Sequence, residues 1–194
     1  MRDMGEIRFL PIGWEQLQAD CFKLAEEIEE AGLGLKRIVA ISRGGLVVAR
    51  LFSDFLKLPI SSFTIVSYVS VGKTGKPKVV EELGVEIEGE RVLLVDEIVD
   101  HGTTLTKAGE YLKGFGPKQV WTAVPYIKPW SKVVPDFWRV KTDRWVVFPY
   151  EVRETIEDLV KIWRQEGIGE REMEERFLKL GFDKKMIRKW AVLL

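Results

Sequence analysis

Residues 92–104 read Val-Leu-Leu-Val-Asp-Glu-Ile-Val-Asp-His-Gly-Thr-Thr. Four β-favouring apolar residues run into the adjacent carboxylates of Asp96 and Glu97. A third acid follows at Asp100, and His101, Gly102, Thr103 and Thr104 close the segment. Carboxylates suit hydroxyl groups and a hard divalent cation, both of which seek oxygen acceptors. Gly102 permits close approach of the backbone to a ligand. Backbone amides and two threonine hydroxyls at the start of a helix form an anion site, most naturally for a phosphate. The ligand so described carries hydroxyls, a phosphate and a metal ion. A helix-capping turn rich in Asp would account for one acid and one threonine. It would not account for three acids crowded behind an apolar run.

Other segments have chemistry of the same kind. Ser42-Arg43-Gly44-Gly45 lets backbone N–H groups close on an anion and adds a forked cation at Arg43. Ser67-Tyr68, followed by Gly72-Lys-Thr-Gly-Lys-Pro-Lys78, offers glycines for motion and Lys73, Lys76 and Lys78 for a departing anion. Lys128 ends the run Tyr126-Ile-Lys-Pro129, and Asp143 to Glu151 holds Trp145, Val146 and a terminal acid.

These residues need elements to hold them. The motif run Val92 to Val95 has the length and composition of a buried parallel strand. Arg37 to Ser42, Ile60 to Val71, Gln119 to Ile127 and Trp145 to Phe148 predict further strands. Apolar residues at helical spacing (Leu17, Cys21, Leu24, Ile28) predict a helix over Trp14 to Ala31. Leu46 to Leu56 and Leu105 to Lys113 read as two more. The Gly/Lys/Pro-rich stretch from Gly72 to Lys78 reads as a mobile loop. The alternation indicates an α/β fold, a parallel twisted sheet flanked by helices. In such sheets ligands bind outside the carboxyl ends of the strands, where the acid cluster falls. From about Glu154 the chain turns to charged helices over Ile156 to Glu166, Arg171 to Leu180 and Lys184 to Leu194. The expected division is a core over residues 1–152 and a helical C-terminal appendage over residues 153–194.

Composition narrows the function classes. A chain of 194 residues can bury one substantial core. Its 30 basic and 30 acidic residues cancel, so no global field draws it to nucleic acid or anionic membrane. The single cysteine, Cys21, allows no internal disulfide and reads as a core residue. No apolar stretch is long enough to span a bilayer and none near Met1 has a signal-peptide pattern, so a cytoplasmic location is expected. The absence of asparagine and the many Glu, Lys and Arg residues lean toward a heat-adapted source.

Residues 92–104 resemble the phosphoribosyl pyrophosphate (PRPP) motif of the type I phosphoribosyltransferases. The resemblance extends from about Ile7 to Glu151 and implies that family's fold, a sheet core with a small hood. It assigns the ribose to Asp96 and Glu97, directly or through Mg2+, and the 5′-phosphate to His101 through Thr104. His101 departs from the family pattern, which has Thr or Ser there. Ser42 to Gly45 resembles the pyrophosphate loop, in which relatives carry a cis peptide, here Ser42–Arg43. Ser67-Tyr68 and Lys73, Lys76 and Lys78 resemble the family's flexible catalytic loop. Asp100 matches the acid facing N7 in the 6-oxopurine enzymes, and Lys128 the lysine donating to O6. Trp145 would stack on the purine, Val146 would present backbone groups to its edge, and Glu151 would reach a second Mg2+ through water. The resemblance thus implies a purine phosphoribosyltransferase acting on hypoxanthine, guanine or xanthine, commonly a homodimer or larger oligomer.

Two other functions compete. One is the same chemistry on adenine, orotate or uracil, whose enzymes tend to lack an acid at the Asp100 position. The other is a regulatory protein that senses PRPP and binds nucleic acid through Lys184, Lys185, Arg188 and Lys189. The nearby Glu170, Glu172, Glu174 and Glu175 favour a solvated amphipathic helix instead.

Overall fold

The computed structural model describes residues 8–70 and 73–191. They form two compact units. One comprises Gln18–Asp143, and the other joins Met1–Leu17 to Arg144–Leu194.

The central unit is built on a seven-stranded sheet. Its strands are β2 (Arg37–Ser42), β3 (Ile60–Ser70), β4 (Lys73–Glu81), β5 (Arg91–Val95), β6 (Ile98–Val99), β7 (Gln119–Ile127) and β8 (Phe137–Lys141). The spatial order is β4-β3-β2-β5-β7-β6, with β8 also paired to β7. All pairings are parallel except β3–β4. Alternate strand residues face opposite sides. Val39, Ile41, Val92 and Leu94 therefore meet Leu105, Ala108 and Leu112 of α3 (Thr103–Lys113) in one apolar cluster. Ile38, Ala40, Leu93 and Val95 point the other way and are equally buried. α2 (Gly45–Leu56) lies along β2, β3 and β5 and adds Val48, Ala49 and Phe52 to the buried set. α1 (Trp14–Glu30) buries Leu17, Cys21, Leu24 and Ile28, the four residues whose spacing predicts it.

One expectation is corrected. The stretch read as a loop from Gly72 to Lys78 belongs, from Lys73 onward, to β4, which pairs antiparallel with β3 through Ser67↔Pro77 and Val69↔Thr74. Gly72 itself lies outside the described residues. β4 is an edge strand, and proline and lysine, used above as loop signals, are also the residues sheet edges tolerate.

The other unit pairs β1 (Phe9–Pro11) in parallel with β9 (Trp145–Val147). Three helices share its core: α4 (Val152–Gln165), α5 (Glu170–Lys179) and α6 (Lys184–Ala191). Ile156, Leu159, Val160 and Trp163 of α4 pack with Met173, Phe177, Phe182 and Ile187. Trp163 and Phe177 stand 4.8 Å apart between ring centroids, a spacing at which aromatic pairs attract beyond their buried area.

Candidate active site

Parallel registers decide what meets at the sheet edge. Ala40 of β2 stands opposite Val95, the last residue of β5, so β2 runs two residues further, to Ser42. Ser42 to Gly45 therefore runs beside Asp96 and Glu97. The two loops and the start of α3 line a cavity of about 350 Å3 that holds Ser42, Arg43 and Gly44, Asp96 and Glu97, and Asp100 through Thr104. The acid pair, the phosphate loop and the Arg-Gly-Gly loop come together as their sequences imply. The Ser42–Arg43 peptide is cis.

Glycines account for the close approach of these loops. A Cβ on Gly44 would sit 2.0 Å from the Glu97 carboxylate. One on Gly45 would sit 2.6 Å from the Val95 carbonyl oxygen and 3.2 Å from the Asp96 Cα. Gly102 adopts φ +86°, which side chains other than hydrogen rarely allow, and its missing Cβ leaves room for Val133. The Glu97 N–H donates to Asp96 Oδ1 at 3.1 Å. Asp96 is buried at 9% exposure. Thr103 and Thr104 open α3, two residues earlier than expected. There the first N–H groups of a helix lack intrahelical acceptors and can serve an anion.

The chain leaving β5 stays beside β7. Ile98 and Val99 form β6, opposite Tyr126 and Ile127. The Lys128 N–H then donates to the Val99 carbonyl at 2.9 Å. This carries Asp100 to the neighbourhood of Lys128. Burial pushes the Lys128 ammonium below the usual lysine range, while Asp100 and Asp143 act in the opposite sense and favour its charge. Asp100 Oδ2 meets His101 Nδ1 at 2.9 Å, and the Trp130 Nε1–H donates to Asp100 Oδ1 at 2.6 Å. Trp130 was not among the residues singled out in the sequence. Its one signal was its place two residues past Lys128. His101 gains a definite contact here, with Asp100.

The remaining expected site residues belong to other elements. Trp145 opens β9 with 39% of its surface exposed, and Val146 beside it is buried. Glu151 is the N-cap residue of α4. All three belong to the terminal unit. The side chains of Ser67, Tyr68, Lys73 and Lys76 lie outside those described, and Lys78 is exposed on β4. No group of three acids, histidines or cysteines forms a ready metal cluster among the described residues. Two adjacent acids on one loop are nevertheless the usual protein share for Mg2+, which keeps waters and takes its other ligands from substrate phosphates.

Residues 13–155 match the family model of the phosphoribosyl transferase domain. The chain is 33% identical over 149 residues to a xanthine-guanine phosphoribosyltransferase of Gluconobacter oxydans (strain 621H), covering 75% of this chain and 86% of that protein. A xanthine-guanine phosphoribosyltransferase of Desulfotalea psychrophila is also 33% identical, over 147 residues, covering 74% and 87%. In structure the chain is similar to a purine phosphoribosyltransferase from Pyrococcus horikoshii Ot3. The TM-score is 0.66 at 31% identity, over 73% of this chain and 93% of that one.

Proposed function

The chain belongs to the phosphoribosyl transferase domain family, and from that premise we propose that it transfers the 5-phosphoribosyl group of PRPP to N9 of a 6-oxopurine. The products are the nucleoside monophosphate and pyrophosphate. The observation that carries the reading is the meeting of Asp96-Glu97, the Gly102–Thr104 loop and the Ser42-Arg43-Gly44 loop around one cavity. Asp96 and Glu97 take the ribose hydroxyls. Thr103, Thr104 and their backbone amides take the 5′-phosphate, with His101 at the rim. Arg43 and the amides near Gly44 and Gly45 take the pyrophosphate. Asp96 and Glu97 would hold Mg2+, which when bound neutralises charge on the pyrophosphate, and Glu151 would reach a second Mg2+ through water.

The bond from the anomeric carbon to pyrophosphate breaks first, and its electron pair leaves with pyrophosphate. Positive charge on the ribose is stabilised by the surrounding anions. The N9 lone pair then attacks from the opposite face, and Asp100 accepts the N7 proton. Lys128 donates to O6, a contact that adenine's amino group would oppose. Trp145 covers the purine face, and Val146 offers backbone groups to its edge. Ser67, Tyr68 and the lysines at 73, 76 and 78, which belong to the paired strands β3 and β4, act as the lid that excludes water.

The same reading takes residues 1–152 as the catalytic core and residues 153–194 as its appendage. It also takes the enzyme to be cytoplasmic and heat-adapted, working as a homodimer or larger homo-oligomer. Among the described residues no helix is long and apolar enough to cross a membrane. Ion pairs at Arg153–Glu157, Arg171–Glu175 and Arg176–Glu172 fit heat adaptation. Lys184 and Arg188 lie 3.3 and 3.7 Å from Glu174, which argues against a nucleic-acid role for that basic end.

The test is nucleotide formation from PRPP and Mg2+ with each nucleobase in turn. Turnover is expected with hypoxanthine, guanine or xanthine, and not with adenine, orotate or uracil. Asp100→Ala and Lys128→Ala should each lower it at least tenfold (roughly 1.4 kcal/mol). Unchanged turnover in both variants would refute the assignment, as would salt-dependent nucleic-acid binding without turnover.

A further inference from the structure

Asp100 and Lys128 are joined through a third side chain. Trp130 donates its indole N–H to Asp100 Oδ1 at 2.6 Å, and Lys128 Nζ lies over its ring, 5.5 Å from the centroid. The other Asp100 oxygen meets His101 Nδ1 at 2.9 Å. A carboxylate torsion is broad and roughly two-fold when nothing distinguishes its oxygens. Here each oxygen has its own partner, so the plane of the group is set. The turn that holds Trp130 is itself fixed. The Lys128 N–H is bound to the Val99 carbonyl at 2.9 Å, and the Ser131 N–H to the Lys128 carbonyl at 3.1 Å. Trp130 keeps 41% of its surface exposed, so burial of its ring does not account for its place.

We propose that Trp130 is a positioning residue for base recognition. Its N–H orients the Asp100 carboxylate while its ring face seats the Lys128 ammonium, so the two groups that read the purine edge act at one fixed spacing. The inference rests on the reading above, in which Asp100 faces N7 and Lys128 faces O6. It adds a determinant of 6-oxopurine selectivity that need not touch the base. A planar indole suits both tasks, because its N–H lies in the ring plane and its π-face lies perpendicular to it. An exposed aspartate without that donor would sample several orientations, only some of which meet N7.

The test uses the full chain and steady-state kinetics with PRPP, Mg2+ and guanine. Trp130→Phe keeps a ring for Lys128 and removes the donor. It should raise the KM for guanine roughly tenfold, the order expected for one hydrogen bond to a charged group. The KM for PRPP should stay within about twofold and the melting temperature within about 2 °C. Trp130→Leu loses both contacts and should raise the guanine KM further. In an Asp100→Ala background, Trp130→Phe should change the guanine KM by less than about twofold, because its effect passes through Asp100. A full tenfold effect in that background would mean direct contact with the base and would overturn the proposal. So would equal rises in both KM values together with a lower melting temperature, or an unchanged guanine KM in Trp130→Phe. If the unmodified protein turns over no 6-oxopurine, the reading of the whole site fails and this inference falls with it. An active parent with an unaffected Trp130→Phe variant refutes this inference alone.

Discussion

Gly44→Ala should separate function from stability. Gly44 has φ −58° and ψ −45°, a conformation any residue adopts, so the added methyl strains no backbone. Replacing an N-cap glycine by alanine costs on the order of 1 kcal/mol or less. The new Cβ would sit 2.0 Å from the Glu97 carboxylate, where ordinary contact begins at 3.4 Å. The carboxylate must therefore retreat by about 1.4 Å. It is the far end of a flexible side chain, so the retreat costs the fold on the order of 0.5–1.5 kcal/mol in rotamer strain. At the site, a misplacement of about 1 Å is worth roughly a hundredfold in rate, or about 2.7 kcal/mol. Nucleotide formation from PRPP and a 6-oxopurine should thus fall about a hundredfold in kcat/KM, while the melting temperature falls by no more than about 4 °C. Gly45→Ala is the control with the opposite pattern. Its Cβ meets the Val95 carbonyl and the Asp96 Cα, backbone at the end of a buried strand, so it should lower the melting temperature severely. Full activity in Gly44→Ala would refute the reasoning. So would a melting loss equal to that of Gly45→Ala.

His101→Thr restores the residue type usual in related loops and removes the contact to Asp100 Oδ2. It should leave the PRPP KM within about threefold, and a larger loss in the same assay would make His101 a phosphate ligand that threonine cannot replace. Tyr126→Phe removes a hydroxyl that donates to the buried Asp20 carboxylate at 2.7 Å. It should cost about 1–3 kcal/mol in urea unfolding with kcat retained, and unchanged stability would sink the assignment. Cys21 is buried, and burial, with Asp20 nearby, pushes its thiol up to about 12. The native protein at pH 8 should therefore resist a thiol reagent that labels it at once in denaturant. The sign for stability follows. The unfolded thiol ionises near 9 while the folded one does not, so this group's contribution is full below pH 9 and is lost as pH climbs toward 12. Cys21→Ala should flatten that part of an alkaline stability profile.

Much of this arrangement was legible because burial leaves a plain mark on parallel strands. Arg37 to Ser42 and Gln119 to Ile127 have the same bounds in the structure as in the sequence pattern. The first has Ile38 to Ile41 as an unbroken apolar run, and the second is apolar apart from Gln119, Thr122 and Pro125 and buried over its last five residues. The edge was harder. Lys73–Glu81 pairs through a proline at its Ser67↔Pro77 position, with register shifts in between, and its residues signal loop and edge strand alike. The strand at Trp145 was read from the sequence, but its partner was not. β1 has three residues, and its partner β9 begins at Trp145, so nothing local foretells the pairing. The acids, glycines and threonines of the site were legible by type and spacing. Trp130 was not, because its contacts to Asp100 and Lys128 follow from the β6–β7 register rather than from any local pattern.

That register explains why spacing mattered more than composition. Between Glu97 and Asp100 the chain has two residues, both paired to β7. Extended chain advances about 3.3 Å per residue, so Asp96 and Asp100 are separated by at most about 13 Å. Asp96, Glu97 and Asp100, the acids proposed to meet the ribose and the base, thus sit on one rigid ruler laid along β7. Side chains on such a segment alternate faces, so inserting or deleting one residue would turn Asp100 away from Lys128 and Trp130. Asp96 and Glu97, which follow directly on the buried end of β5, would stay in place. A single insertion after Val99 should therefore abolish base selection, and the KM for PRPP should rise as well because the added residue also displaces His101 to Thr104. Adding a residue outside the ruler, in the exposed 84–86 loop, should spare both.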